Sequence, residues 1–119
     1  MKLRALLVDD NEDFLASAGR LLESQGIEVV GYARSGAEAL RLAAAHEPNL
    51  ALVDIELGEE DGIALTRELE ARAPATQIVL ISGYDRDDMS DLISDSSAAG
   101  YLPKNALGAD AIADLLRTG

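Results

Sequence analysis

Residues 6–13 read LLVDDNED: three apolar residues run directly into Asp9 and Asp10, with Glu12 and Asp13 close behind. The run Ala5–Val8 has the composition of a buried strand. Two adjacent carboxylates at its mouth repel one another just where the chain leaves the core. The chain already carries a formal charge of -12, so this placement calls for positive charge at the same edge.

Five short apolar runs recur, at Leu3–Val8, Ile27–Ala33, Leu50–Val53, Gln77–Ile81 and Gly100–Leu102. Several are apolar almost throughout rather than alternating, which predicts strands covered on both faces. Segments of helical spacing lie between them. Phe14, Leu15, Ala18, Leu21 and Leu22 form one stripe, with Gly26 placed to end the helix. Ser35 is set to cap a second helix that carries Ala37, Leu40 and Ala44 and finishes near Pro48. Asp61 is set to cap a third, which packs Leu65 and Leu69 and stops before Pro74. Met89, Leu92, Ile93 and Ser96 mark a fourth helix, and Ile112, Leu115 and Leu116 a fifth. Strand–helix alternation five times over, (βα)5, predicts a parallel sheet with helices on both faces. Ligands of such open sheets bind at the carboxyl ends of the strands, near the point where strand order reverses.

Composition narrows the classes further. A chain of 119 residues is expected to be one domain, 1–119, with a single sizeable core. Apolar residues make up 48%, which fits a globular fold despite the charge. The absence of cysteine excludes disulfides, thiolate metal sites and cysteine nucleophiles. Lys2 and Arg4 precede an apolar run too short for a secretory signal, and no stretch approaches a membrane span. With 22 acidic and 10 basic residues there is no basic face for a nucleic acid. A soluble, cytoplasmic protein with no direct nucleic acid contact and no membrane partner is expected.

The strand ends hold the chemistry. Asp9-Asp10 follows the first strand, Asp54 the third (ALVDIELG), Ser82 the fourth (IVLISGYD) and Lys104 the fifth (GYLPKN). Only the second strand ends blandly, in Ala33-Arg34. Singly, each has a plain reading: helix caps at 9 and 10, turn residues at 54 and 82, a solvated charge at 104. Together they place three carboxylates, a hydroxyl and an ammonium at one edge, and Lys104 is the only lysine besides Lys2. A hard divalent cation such as Mg²⁺, which takes oxygen ligands, removes the repulsion among the carboxylates. A carboxylate beside a cation and a fixed ammonium can attack phosphorus and form an aspartyl phosphate. Lys104 and the Ser82 hydroxyl are then placed to hold phosphoryl oxygens.

This set of residues resembles the receiver domain of two-component response regulators (CheY-like) over essentially the full length. The order and intervals agree, with 44 positions from Asp10 to Asp54 and 22 from Ser82 to Lys104. The resemblance implies a flavodoxin-like three-layer sandwich with a five-stranded parallel sheet of order 2-1-3-4-5. It implies that Asp54 is a phosphoacceptor served by the phosphohistidine of a sensor histidine kinase. Asp10 would contact Mg²⁺ directly and Asp9 more often through water, with Asp54 and the backbone carbonyl of Glu56 as further ligands. Ser82 and Tyr101 would be the switch pair, acting on a face made by the fourth helix, fifth strand and fifth helix. That face would serve an output domain, a downstream partner or a homodimer. GYLPKNAL is similar to receivers joined to DNA-binding domains of the LuxR/NarL type. Such a module is a phosphorylatable switch that catalyses only its own phosphorylation and dephosphorylation. Three positions depart from the family's habit: Pro103 precedes Lys104 where a proline often follows, Gly58 stands where proline is common, and Ser97 stands in place of a helix-ending glycine.

Three rivals share parts of the pattern. A Mg-dependent aspartate phosphatase of the haloacid dehalogenase type wants a second aspartate two residues past the nucleophile, where this chain has Glu56. A flavin module needs a first loop rich in Ser, Thr and Gly to cradle phosphate, and Asp9-Asp10-Asn11 repels one. A pseudo-receiver keeps the fold without the phosphoacceptor chemistry, and the complete residue set argues against it.

Overall fold

The computed structural model describes residues 2–83 and 98–118. All five predicted strands form. β1 (Arg4–Val8), β2 (Glu28–Ala33), β3 (Leu50–Asp54), β6 (Gln77–Ser82) and β7 (Gly100–Pro103) build one parallel sheet in the order β2-β1-β3-β6-β7. Between β3 and the next helix the chain inserts a small antiparallel hairpin, β4 (Glu56–Leu57) and β5 (Glu60–Asp61), which the apolar pattern does not announce. Setting the hairpin aside, the order is the flavodoxin-like 2-1-3-4-5. β3 and β6 each run one residue past their apolar stretch, carrying Asp54 and Ser82 into the sheet itself.

Side chains alternate across the pleat and divide the core into two layers. Leu6, Val8, Ala51, Val53, Ile78 and Leu80 pack on one face with α2 (Gly36–His46) and α3 (Gly62–Arg72). Ala5, Leu7, Leu50, Leu52, Val79 and Ile81 pack on the other with α1 (Glu12–Ser24) and the C-terminal helix Ala109–Thr118. Because both faces are covered, the central strands read as nearly continuous apolar runs.

Local signals set the helix ends. Ser35 Oγ accepts from the Glu38 N–H, and Asp61 Oδ1 accepts from the Ile63 N–H, as expected of both caps. The first helix is capped by Asn11, whose Oδ1 accepts from the N–H groups of Asp13 and Phe14. Asp9 and Asp10 are therefore released from the capping role. Gly26, at φ 91, takes the left-handed turn that ends α1. α2 stops at His46, and the Arg4 guanidinium donates to the carbonyls of His46 and Glu47 at 2.9 and 3.1 Å. Gln25 Oε1 accepts from the Ala109 N–H at 2.6 Å, tying the start of the C-terminal helix to the end of α1.

Two stripe assignments are corrected. Leu21 is 39% exposed, because α1 buries Leu15, Ala18, Gly19 and Leu22, and the position before Leu22 is turned about 100° away from it. α2 buries Gly36, Ala39 and Ala43, leaving Ala37 and Ala44 exposed and Leu40 half-buried. In an alanine-rich helix, side-chain size does little to set the phase, and the Ser35 cap does so instead. The fourth-helix residues Met89, Leu92, Ile93 and Ser96, together with Tyr84 and Ser97, lie outside the described residues. The described peptide bonds are all trans, including the one after Lys104.

Gly62 opens α3 against the end of β3. A methyl group there would collide with the Asp54 carbonyl, and the Gly62 N–H donates to the Ile55 carbonyl at 2.9 Å. Gly62→Ala is expected to cost about 1–3 kcal/mol, read as a lower urea midpoint at constant slope. An unchanged midpoint would show that the junction has room to spare.

Candidate functional site

The site follows from strand register. β1 and β3 pair as Ala5↔Leu50 through Val8↔Val53, and one step further stand Asp9 and Asp54. Parallel pairing thus sets side by side two carboxylates that are 45 positions apart in the chain. Asp9 is fully buried and Asp54 is 5% exposed, while Asp10 lies on the exposed rim. One carboxylate oxygen from each of the three falls within 4.8 Å of the others.

Backbone donors hold one oxygen of each buried carboxylate. The Asn11 N–H donates to Asp9 Oδ1 at 2.9 Å, and the Glu56 N–H donates to Asp54 Oδ1 at 3.0 Å. The second oxygens face Lys104. Its Nζ lies 2.7 Å from Asp9 Oδ2 and 3.4 Å from Asp54 Oδ2. That ion pair is the partner of Asp9 Oδ2, which is buried and accepts no well-directed hydrogen bond among the described residues. The ammonium also sits over the Phe14 ring, 4.5 Å from its centre. One cation is thus shared between two buried anions, with the third carboxylate at the rim.

The titration of Asp54 reflects its burial first and the neighbouring charges second. Burial pushes its carboxyl from the ordinary 3.8 up to about 6. The charge of Asp9 adds to the rise, and the Glu56 N–H and Lys104 oppose it. For Lys104, burial alone would pull the ammonium down, but the bond to Asp9 and the charges of Asp54 and Asp9 outweigh it, and the net shift is upward.

Of the residues named from the sequence, Asp9, Asp10, Asp54 and Lys104 meet at this edge. Asp54 pairs with Ile81 in the sheet, so buried Ser82 stands one step beyond, and Ser82 in turn pairs with Pro103, directly before Lys104. Tyr101 is 3% exposed and belongs to the α2–α3 layer of the core, more deeply covered than a half-buried edge aromatic. Glu56 is exposed and contributes its backbone. Sequence reading passed over Asn11 and took Phe14 only for core. The run Asn11-Glu12-Asp13 is the signal that could have found the first, since asparagine followed by acidic residues is a strong helix start. Nothing in the apolar spacing separates Phe14 from its stripe.

A hard oxygen-donor set with a buried carboxylate oxygen held only by an ion pair fits a small divalent cation. The arrangement defines a class: an open parallel α/β sheet with an acidic cleft and a lysine across its switch point. Residues 5–117 match the response regulator receiver domain, and the chain belongs to that family of two-component signal transduction. It is 37% identical over 107 residues to a protein-glutamate methylesterase/protein-glutamine glutaminase of Alkalilimnicola ehrlichii, covering 87% of this chain and 27% of that protein. It is 33% identical over 116 residues to the transcriptional regulatory protein LiaR of Bacillus subtilis, covering 97% of this chain and 54% of LiaR. The chain therefore spans about half, or less, of the length of these curated relatives. A crystal structure of a response regulator from Burkholderia pseudomallei, with a phosphorylated aspartic acid, calcium ion and citrate, superposes with a TM-score of 0.84 at 31% identity, covering 98% of this chain and 68% of that one. No helix among the described residues is long and apolar enough to cross a membrane.

The raised Asp54 value yields a stability prediction for the metal-free protein. Its folded pKa lies above the unfolded one, so its neutral form favours folding at low pH and that contribution is lost as pH rises through about 6. Asp54→Asn should accordingly stabilise the chelated protein at pH 7. The gain is roughly 1–2 kcal/mol after allowing for water at the cleft mouth, or about 3–8 °C in a domain of this size. It should shrink as pH falls towards 4. Melting curves across that range check it, and a gain that grows at low pH would reverse the sign of the argument.

Proposed function

We propose that this domain is a phosphoacceptor switch: Asp54 takes a phosphoryl group from the phosphohistidine of a sensor histidine kinase and passes the change to an output surface. The observation that carries the reading is the triad of Asp9, Asp54 and Lys104, two buried carboxylates set together by strand register and bridged by one ammonium. The relative of known structure with a phosphorylated aspartic acid and a calcium ion supports it.

The step is a displacement at phosphorus. An Asp54 carboxylate oxygen bonds to phosphorus as the P–N bond breaks, and the leaving imidazole keeps the electron pair. Asp9, Asp10, Asp54 and the Glu56 carbonyl would hold Mg²⁺, which supplies charge neutralisation for the carboxylates and the incoming phosphoryl oxygens. Lys104 then follows the charge: its ammonium, already between Asp9 and Asp54, stays in place to meet a phosphoryl oxygen. The Glu56 N–H keeps one Asp54 oxygen fixed, which orients the other. Ser82, beside the acceptor in the sheet, donates its hydroxyl to the phosphoryl group, and Tyr101 fills the space behind it as the second member of the switch. The partner surface includes β7 and the C-terminal helix, and an output domain of the LuxR/NarL type or a second copy are the occupants the reading favours. The work is done in the cytoplasm, and the domain turns over no substrate other than its own phosphate.

Acetyl phosphate with Mg²⁺ should add a single phosphoryl group by intact mass, and Asp54→Ala should abolish the addition. Labelling that survives in Asp54→Ala, or that ignores a chelator, would falsify the assignment. Millimolar Mg²⁺ should also raise the melting temperature of the unphosphorylated protein by offsetting carboxylate repulsion. That rise should vanish in Asp10→Asn, and a melting temperature indifferent to Mg²⁺ in the unmodified protein would count against a cation site.

A further inference from the structure

Lysine is a poor choice for a fixed charge. Its stem has four rotatable carbons and its ammonium is strongly hydrated, yet the cleft needs that ammonium at one point between two carboxylates. Lys104 retains 24% exposure of its side chain, so water reaches it. Attraction to two anions alone would leave it free to slide from one to the other.

The sole phenylalanine of the chain supplies what is missing. Phe14 is half-buried in the α1 layer of the core, and Lys104 Nζ lies over its ring face, 4.5 Å from the ring centre. The ring is itself anchored through the same site. Asp9 Oδ1 accepts from the Asn11 N–H, and Asn11 Oδ1 accepts from the Phe14 N–H. Phe14 faces Lys104, and Lys104 closes the circuit on Asp9 Oδ2. Four residues from two distant segments form one closed ring of contacts, with the negative face of an aromatic as one member.

We propose that Phe14 is a positioning residue for phosphoryl transfer: its ring face covers one side of the Lys104 ammonium, excludes water there, and so holds the N–H donors towards Asp9 and the group arriving on Asp54. This rests on the reading of Asp54 as phosphoacceptor. The ring attracts the cation through its quadrupole, an interaction that strengthens where water is excluded. A leucine of similar size would fill the core but offer the ammonium no such face.

Two measurements test it, one of them independent of phosphorylation. The chain has only two lysines, and Lys2 is exposed. In metal-free protein labelled at lysine, the ε-methylene protons of Lys104 should show an upfield ring-current shift that disappears in Phe14→Leu and persists in Phe14→Tyr. An unshifted Lys104 signal would overturn the proposal whatever the kinetics. With acetyl phosphate and saturating Mg²⁺, Phe14→Leu should label about three- to tenfold more slowly, the range a cation–π contact of ordinary strength carries. Phe14→Tyr should restore the rate. In a Lys104→Met background, Phe14→Leu should add no further loss; a full loss there would mean that the ring acts on general packing, and the proposal falls. A wild-type protein that takes no label would instead bring down the phosphoacceptor reading, with the ring-current result still deciding where Phe14 sits.

Discussion

Two carboxylates in a protein interior cannot both stay ionised without a cation beside them, and everything at this sheet edge is arranged around that requirement. Asp9 and Asp54 are neighbours because β1 and β3 are neighbours in parallel register, and the register is held by apolar side chains on both faces of the sheet. The core therefore enforces the repulsion, and Lys104 answers it with a single charge for two. Burial, with the charge of Asp9 adding to it, raises the pKa of Asp54. A site left short of positive charge is one prepared to take more, as a cation.

Fold and chemistry meet at the last residue of each strand. The pleat decides which core layer each side chain joins, and where the sheet stops the same alternation decides which polar groups share a cleft. Gly62 lets α3 start directly on the Asp54 carbonyl. Glu60 reaches across to accept from the Gly36 N–H at the start of α2 at 3.0 Å. The hairpin between them therefore ties the end of β3 to two helices at once. The Glu56 N–H holds one carboxylate oxygen of Asp54, and the other faces Lys104.

The strands and the residues of the cleft were legible because each leaves a local mark: an apolar run, a cap or a breaker, and a polar residue just past the run; the strand order came only with the resemblance to receiver domains. Asp54, Ser82 and Lys104 could be read from those marks, and Asp9 with Asp10 from the conflict they create. Other features were not legible, for identifiable reasons. The hairpin at Glu56–Asp61 is two residues per strand, too short for any periodicity, and its turn residue Gly58, at φ 61, could be read only as a loop. The buried stripe of α2 depends on phase among alanines of equal size. Phe14 carries two roles in one side chain, and apolar spacing accounts for the first so fully that the second leaves no trace. The segment predicted as the fourth helix, with Met89, Leu92, Ile93 and Ser96, lies outside the described residues.

The register that joins Asp9 to Asp54 also limits how such a site can vary. Loops around the rim can lengthen or change charge without touching it, because pairing across β1 and β3 is indifferent to them. A single codon lost from Leu50–Val53 is another matter. It would slide Ile55 into the place of Asp54 and turn every later side chain of the strand to the opposite layer. The two halves of this anionic pocket are kept in phase like the teeth of a zip, and drift in sequence can reach the slider but not the teeth.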